Sequence, residues 1–163
     1  MIFFAKTLLL LIVLLPLPVN IVLADNEVVI SDAWIREAPP NAPSLAGYMV
    51  MKNHSQKQQT FVAVSAPDFG MAMIHRTEHK DGMAHMVHLD KVNIPPKAKL
   101  IFKPNGHHLM LMKPKKSFKK GDKVHIKLSF SDGSKQTVVF EVRARMVSGD
   151  KKKRNNMMEH GKH

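Results

Sequence analysis

The residues with most chemical potential in this 163-residue chain are methionines and histidines crowded into its middle. Between positions 71 and 112 lie Met71, Met73, His75, His79, Met83, His85, Met86, His88, His107, His108, Met110 and Met112. Taken singly, each reads as packing, because methionine fills irregular gaps and a lone histidine finds a hydrogen-bond partner. Met49 and Met51, in "LAGYMVMKN", read as core outright. Taken together, thioether and imidazole donors select a soft monovalent ion, Cu(I). Zinc would want cysteine or carboxylate beside its histidines. Non-haem iron would want a carboxylate with two histidines. The chain contains no cysteine, so a blue-copper thiolate centre is excluded, as are disulfides and thiol redox chemistry. A thioether stays neutral and forms no disulfide, so it remains a usable copper ligand in an oxidising compartment.

These donors must be positioned by strands. In an extended chain successive side chains point to opposite faces. In "HHLMLM", residues 107–112, that puts Leu109 and Leu111 on one face and His108, Met110 and Met112 on the other. Leucine faces a core; the other face would meet a metal. Candidate strands are 28–36, 45–53, 60–66, 71–78, 83–89, 98–103, 108–113, 123–130 and 136–145. In one, Val124, Ile126, Leu128 and Phe130 alternate with His125, Lys127, Ser129 and Ser131. Turn residues such as Asp81-Gly82, Asn105-Gly106 and Asp132-Gly133 punctuate the series. Short strands at regular spacing with no long helical period predict an all-β Greek-key sandwich. His75 then lies on one strand, Met86 on the next across an Asp81-Gly82 hairpin, and His108 with Met110 on a third. Four ligands could converge near one edge or end of the sandwich.

The termini read differently. Lys6, an apolar run from Leu8 to Leu15, and Val22-Leu23-Ala24 describe a secretory signal peptide over residues 1–24, cleaved after about Ala24. The rival is an uncleaved anchor, disfavoured because Pro16, Pro18 and Asn20 interrupt the apolar stretch before about 20 residues. Residues 25–146 form the folded domain, and residues 147–163 a disordered basic tail. Met157, Met158, His160 and His163 in that tail read equally as a second copper site or as a solvated end. Net charge is +12; removal of Lys6, the one charged residue in 1–24, lowers it by one to +11. Export argues against a nucleic-acid partner, leaving an acidic protein surface, anionic lipid or plain solvation for the basic face.

At these residues the chain resembles the periplasmic copper chaperones that serve the Cu(A) centre. Their motif is His, ten residues, Met, twenty-one residues, His-x-Met. Here it reads His75, Met86 and His108-Leu109-Met110, with no departure in spacing. "AWIREAPPNAPSLAGYMVMKN" (33–53), "NGHHLMLM" (105–112) and "GDKVHIKLSFSDGSKQTVVFEVR" (121–143) resemble the family's opening strands, ligand strand and final hairpin. The resemblance covers about residues 28–145. It implies a cupredoxin-like β-sandwich binding one Cu(I) through His75, Met86, His108 and Met110. It implies a monomeric, periplasmic, non-enzymatic carrier without a small-molecule substrate. That carrier would deliver copper by ligand exchange to the Cu(A) site of cytochrome c oxidase subunit II, alongside a Sco-type thiol protein. His107 departs from the family, which more often has an aromatic such as Tyr there, and reads either as tuning the site or as a solvent-exposed substitute. The extra donors Met71, Met73, His79, Met83, His85, His88 and Met112 are expected to pack around the site; for Met83 and His85 this packing is favoured over a rival reading as alternate ligands during transfer. The competing function is copper sequestration without a dedicated acceptor. A copper oxidase is disfavoured, since two thioethers oppose Cu(II) and turnover needs both oxidation states.

Overall fold

A computed structural model describes residues 27–144. Ten strands follow one another: β1 (Val28–Arg36), β2 (Ser44–Asn53), β3 (Gln59–Ser65), β4 (Phe69–Lys80), β5 (Met83–His88), β6 (Val92–Ile94), β7 (Lys99–Phe102), β8 (His107–Pro114), β9 (Lys123–Phe130) and β10 (Lys135–Arg143). The described residues contain no helix, and the expected all-β class holds. Nine strands fall where the sequence pattern puts them, within two residues at each end. The tenth, β6, is new: three residues whose Val92 and Ile94 are buried against β3.

Hydrogen bonding joins all ten in the order β5-β4-β8-β7-β2-β1-β10-β9-β3-β6. β2 is long enough to take two partners in turn, β7 along residues 49–52 and β8 along residues 44–47. β1 and β10 run parallel, Ile35 opposite Val142. The continuous strip folds over on its apolar face. Phe61 of β3 thereby meets Phe102 of β7 at 6.1 Å and Phe130 of β9 at 5.8 Å between ring centres.

Strand alternation sets which side chains enter this interior. Leu109, Leu111, Val124, Ile126, Leu128, Phe140, Met49 and Met51 are all buried in one cluster, as their alternation with polar neighbours predicts. At about 25 cal/mol per Å² of buried apolar surface, such side chains contribute most of the folding drive in a chain lacking disulfides. One buried polar side chain ties strand ends together. Asn53 Nδ2 donates to the carbonyls of Ile94 and Pro95 at 3.0 and 3.1 Å, and its Oδ1 accepts from Ser55.

Two turns define the neighbourhood of the site. Asp81 and Gly82 both take positive φ, 52° and 75°, and join β4 to β5 with Lys80 opposite Met83. This is a two-residue turn of the I′ kind, whose twist matches the flanking strands. Between β7 and β8, Asn105 at φ 59° allows Gly106 N to donate to the Lys103 carbonyl at 3.1 Å.

Candidate metal centre on the outer face of β4, β5 and β8

β4 lies between β5 and β8, and its registers to both decide which donors share a face. Ile74 points into the core, so His75 projects from the outer face. Directly opposite His75 stand His108 on β8 and His88 on β5. One step along the face, Met73 pairs with Met110 on β8. One step the other way, Thr77 pairs with Met86 on β5. Paired residues in adjacent antiparallel strands project on the same side, with side chains in reach of each other. His75, Met86, His108 and Met110, from three strands, therefore occupy one surface.

Met86, His108 and Met110 line an open pocket of about 320 Å³, with Thr77, Ala46 and Tyr48 among its other walls. His75 sits beside it, its ring centre 5.8 Å from that of His108. Exposure grades across the group: His108 is 5% exposed while Met86, on the outermost strand, is 63% exposed.

The two imidazoles are held differently. Nδ1 of His108 lies 3.0 Å from the Gly106 carbonyl oxygen. A carbonyl only accepts, so Nδ1 donates and Nε2 is the nitrogen left to face a ligand. The same carbonyl accepts the Thr77 backbone N–H at 3.1 Å, locking β4 to the start of β8. Both ring nitrogens of His75 are shielded from water and have no hydrogen-bond partner. An orphaned buried imidazole is costly unless something fills its coordination. Burial holds its pKa below the ordinary imidazole range, and the neighbouring His108 and His88 push the same way. It thus offers a lone pair at neutral pH.

Tyr48 forms the polar-aromatic wall on the β2 side. Only 4% exposed, it packs against Trp34 at 4.5 Å between ring centres, with the Arg36 guanidinium 5.6 Å from its ring. Burial raises its pKa, opposed by Arg36, so its hydroxyl keeps its proton. Among the described residues no three His, Asp or Glu side chains already converge as a metal site. The thioethers of Met86 and Met110 are the further donors on this face, and soft sulfur beside imidazole nitrogen suits a monovalent soft ion.

The remaining donors divide by face. Met71 pairs with Met112 and continues the thioether row beyond Met73 and Met110. Met83 and His85 pair with Lys80 and Glu78, on the side of β5 opposite Met86. They stand away from the His75–His108 face, and Met83, 61% exposed, does not pack around the centre as expected. His79, opposite Ala84, is exposed near the hairpin tip. His107 pairs with Arg76 and lies 5.7 Å from the Phe102 ring, on the side of β8 that carries Leu109. It caps the end of the core instead of tuning the site. His88, expected as packing, stands opposite His75 with its ring centre 5.6 Å away. The signal was available in the sequence: counting outward from a two-residue Asp81-Gly82 turn pairs residue 88 with 75 and residue 86 with 77. The segments 1–24 and 147–163, including Met157, Met158, His160 and His163, lie outside the described residues.

An open sheet folded over one apolar core, with imidazole and thioether donors on the outer face of β5 and the two strands beside it, defines a cupredoxin-like β domain bearing a soft donor cluster. The chain belongs to the LpqE-like family, described as "Putative lipoprotein LpqE-like", whose profile matches residues 28–142. It is 29% identical over 119 residues to "Putative lipoprotein Lxx21020" from Leifsonia xyli subsp. xyli, covering 72% of this chain and 70% of that one. The solution structure of CuI-DR1885 from Deinococcus radiodurans is 30% identical, with a TM-score of 0.62, over 77% of this chain and 83% of that one. The copper-bound PCuAC domain from PmoF2 is 20% identical with a TM-score of 0.61, over 73% and 94%. At that identity it supports the fold alone.

Proposed function

We propose that this protein is a Cu(I) metallochaperone that holds one ion through His75, Met86, His108 and Met110 and surrenders it by ligand exchange. The observation that carries the reading is the strand register, which brings two imidazoles and two thioethers from three strands onto one face. The likeness to a Cu(I)-loaded structure at 30% identity supports it. Membership in a family described as lipoproteins supports an exported, cell-envelope location, as does the signal-like sequence of residues 1–24.

The division of labour follows from exposure. His75 and His108 are anchored on inner strands of this layer, and Met110 is half-buried between β4 and β2. Met86 is the exposed ligand on the outermost strand. An acceptor thiolate approaching from solvent displaces Met86 first, and copper passes while the imidazoles still hold it. Thiolate is charged and a stronger donor than a thioether, so the exchange runs toward the acceptor.

Beside the site a larger groove of about 780 Å³ shares Glu37, Ala38, Pro39 and Leu45 with the first pocket and carries Lys113, Lys115, Lys116 and Lys119. This basic rim suits an acidic acceptor, and its charge acts mainly on the rate of encounter. The acceptor proposed is the Cu(A) site of cytochrome c oxidase subunit II, directly or together with a Sco-type protein.

Anaerobic Cu(I) titration against a competing chelator tests the ligand set. Met86→Leu and Met110→Leu are each expected to lower Cu(I) affinity by about tenfold or more, with the fold intact by circular dichroism. Wild-type affinity in both variants would remove the site. Saturation near one Cu(I), followed by loss to an apo acceptor, is the behaviour of a carrier; retention in its presence would favour the sequestering alternative.

A further inference from the structure

His88 is a second imidazole neighbour of His75, matching His108 on the other side of β4. Ring centres lie 5.6 Å apart for His75–His88 and 5.8 Å for His75–His108. Imidazole nitrogens bind first-row metals at about 2.0–2.1 Å, so two rings sharing one ion have centres about 5–6 Å apart. Each separation meets that requirement for its own pair, with His88 and His108 flanking His75 from opposite sides of β4. The two ring nitrogens of His75, between its neighbours, have no other partner.

We propose that His88 joins His75 and His108 to hold Cu(II), giving the centre a second coordination mode beside the thioether-containing Cu(I) mode. The inference rests on the Cu(I) reading above and extends it to the other oxidation state. Cu(II) prefers imidazole to thioether, and three imidazoles from three adjacent strands supply it without a new fold element. His75 and His108 serve both modes; Met86 and Met110 serve one, His88 the other. The three rings do not converge in the unloaded arrangement. His88 is the one free to turn. Its side chain is half exposed on the edge strand, and Asp90, at 3.4 Å, holds it weakly. Met86 and His88 are two residues apart on one face of β5, so the same strand offers the centre a thioether and an imidazole. No electron transfer is involved; each mode binds the oxidation state it is offered.

The test uses the full chain with His160→Ala and His163→Ala in every arm, which removes the tail imidazoles from the Cu(II) readout. Cu(II) affinity is measured by chelator competition, nitrogen ligation by electron paramagnetic resonance, and Cu(I) affinity anaerobically. His88→Ala is expected to lose about tenfold or more in Cu(II) affinity and one nitrogen from the spectrum, with Cu(I) affinity within about twofold of the parent. His88→Gln, closer in size and polar, is expected to behave the same way. The Met86→Leu, Met110→Leu double variant is expected to show the reverse: Cu(I) lost, Cu(II) kept. An unchanged Cu(II) affinity and spectrum in both His88 variants would overturn the inference. An equal loss of both oxidation states would also overturn it, because His88 would then support the fold or the whole centre. If instead the double methionine variant kept its Cu(I), the chaperone reading would fail while the His88 arms still reported on Cu(II).

Discussion

His75 and His108 are both strand histidines on one face, yet their surroundings prepare them differently. His108 has its tautomer fixed by the Gly106 carbonyl, whereas His75 has shielded nitrogens and no partner. Burial keeps His75 and, at the end of the core, His107 below the ordinary imidazole pKa; Arg76 and His108 add to the effect on His107. The consequence for stability has a definite sign. The folded pKa lies below the unfolded one, so the unfolded chain binds more protons as pH falls through about 6.5. Unfolding free energy of the apo protein should therefore decrease on acidification from pH 7.5 to pH 5.5, and urea midpoints across that range measure it. In the His75→Gln, His107→Gln variant that fall should be smaller; an equally steep fall would assign it to other groups. At this scale the four motif donors were legible by type and spacing. The place of His88 was legible only by counting across the Asp81-Gly82 turn, because its meaning comes from the residue opposite and not from its neighbours in sequence.

β5 is short, exposed along most of its length and paired only with β4, so the Asp81-Gly82 turn decides where Met86 stands. Gly82 has φ 75°, and a Cβ added there would meet nothing within 4 Å. The cost of Gly82→Ala is then backbone strain alone, about 1–2 kcal/mol. This variant should show faster hydrogen exchange in β5 and weaker Cu(I) binding, with β9 and β10 unaffected. Protection unchanged in β5 would mean the turn does not govern the hairpin. Most strands were legible because alternation survives over six or more residues, as in β9, where every second side chain is buried. β6 was not, since three residues carry no period, and its strand character comes from pairing with Gln59–Phe61 of β3.

Across the whole molecule, sequence pattern predicted sheets but not their order. The parallel union of β1 with β10, and the placement of β8 between β4 and β2, depend on contacts far apart in the chain. The second placement creates the centre, because it aligns His108 with His75 and Met110 with Met73. The core and the site are thus two faces of the same strands: Leu109 and Leu111 anchor β8 from within while His108 and Met110 project outward. The central claim is that this outer face coordinates Cu(I) with mixed nitrogen and sulfur. X-ray absorption at the copper edge, on anaerobically loaded protein at one Cu(I) per chain, reads the ligand shell directly. The account predicts a shell containing both sulfur and imidazole nitrogen, losing sulfur in Met86→Leu and in Met110→Leu. A shell of nitrogen and oxygen alone, or one unchanged by both substitutions, would contradict it.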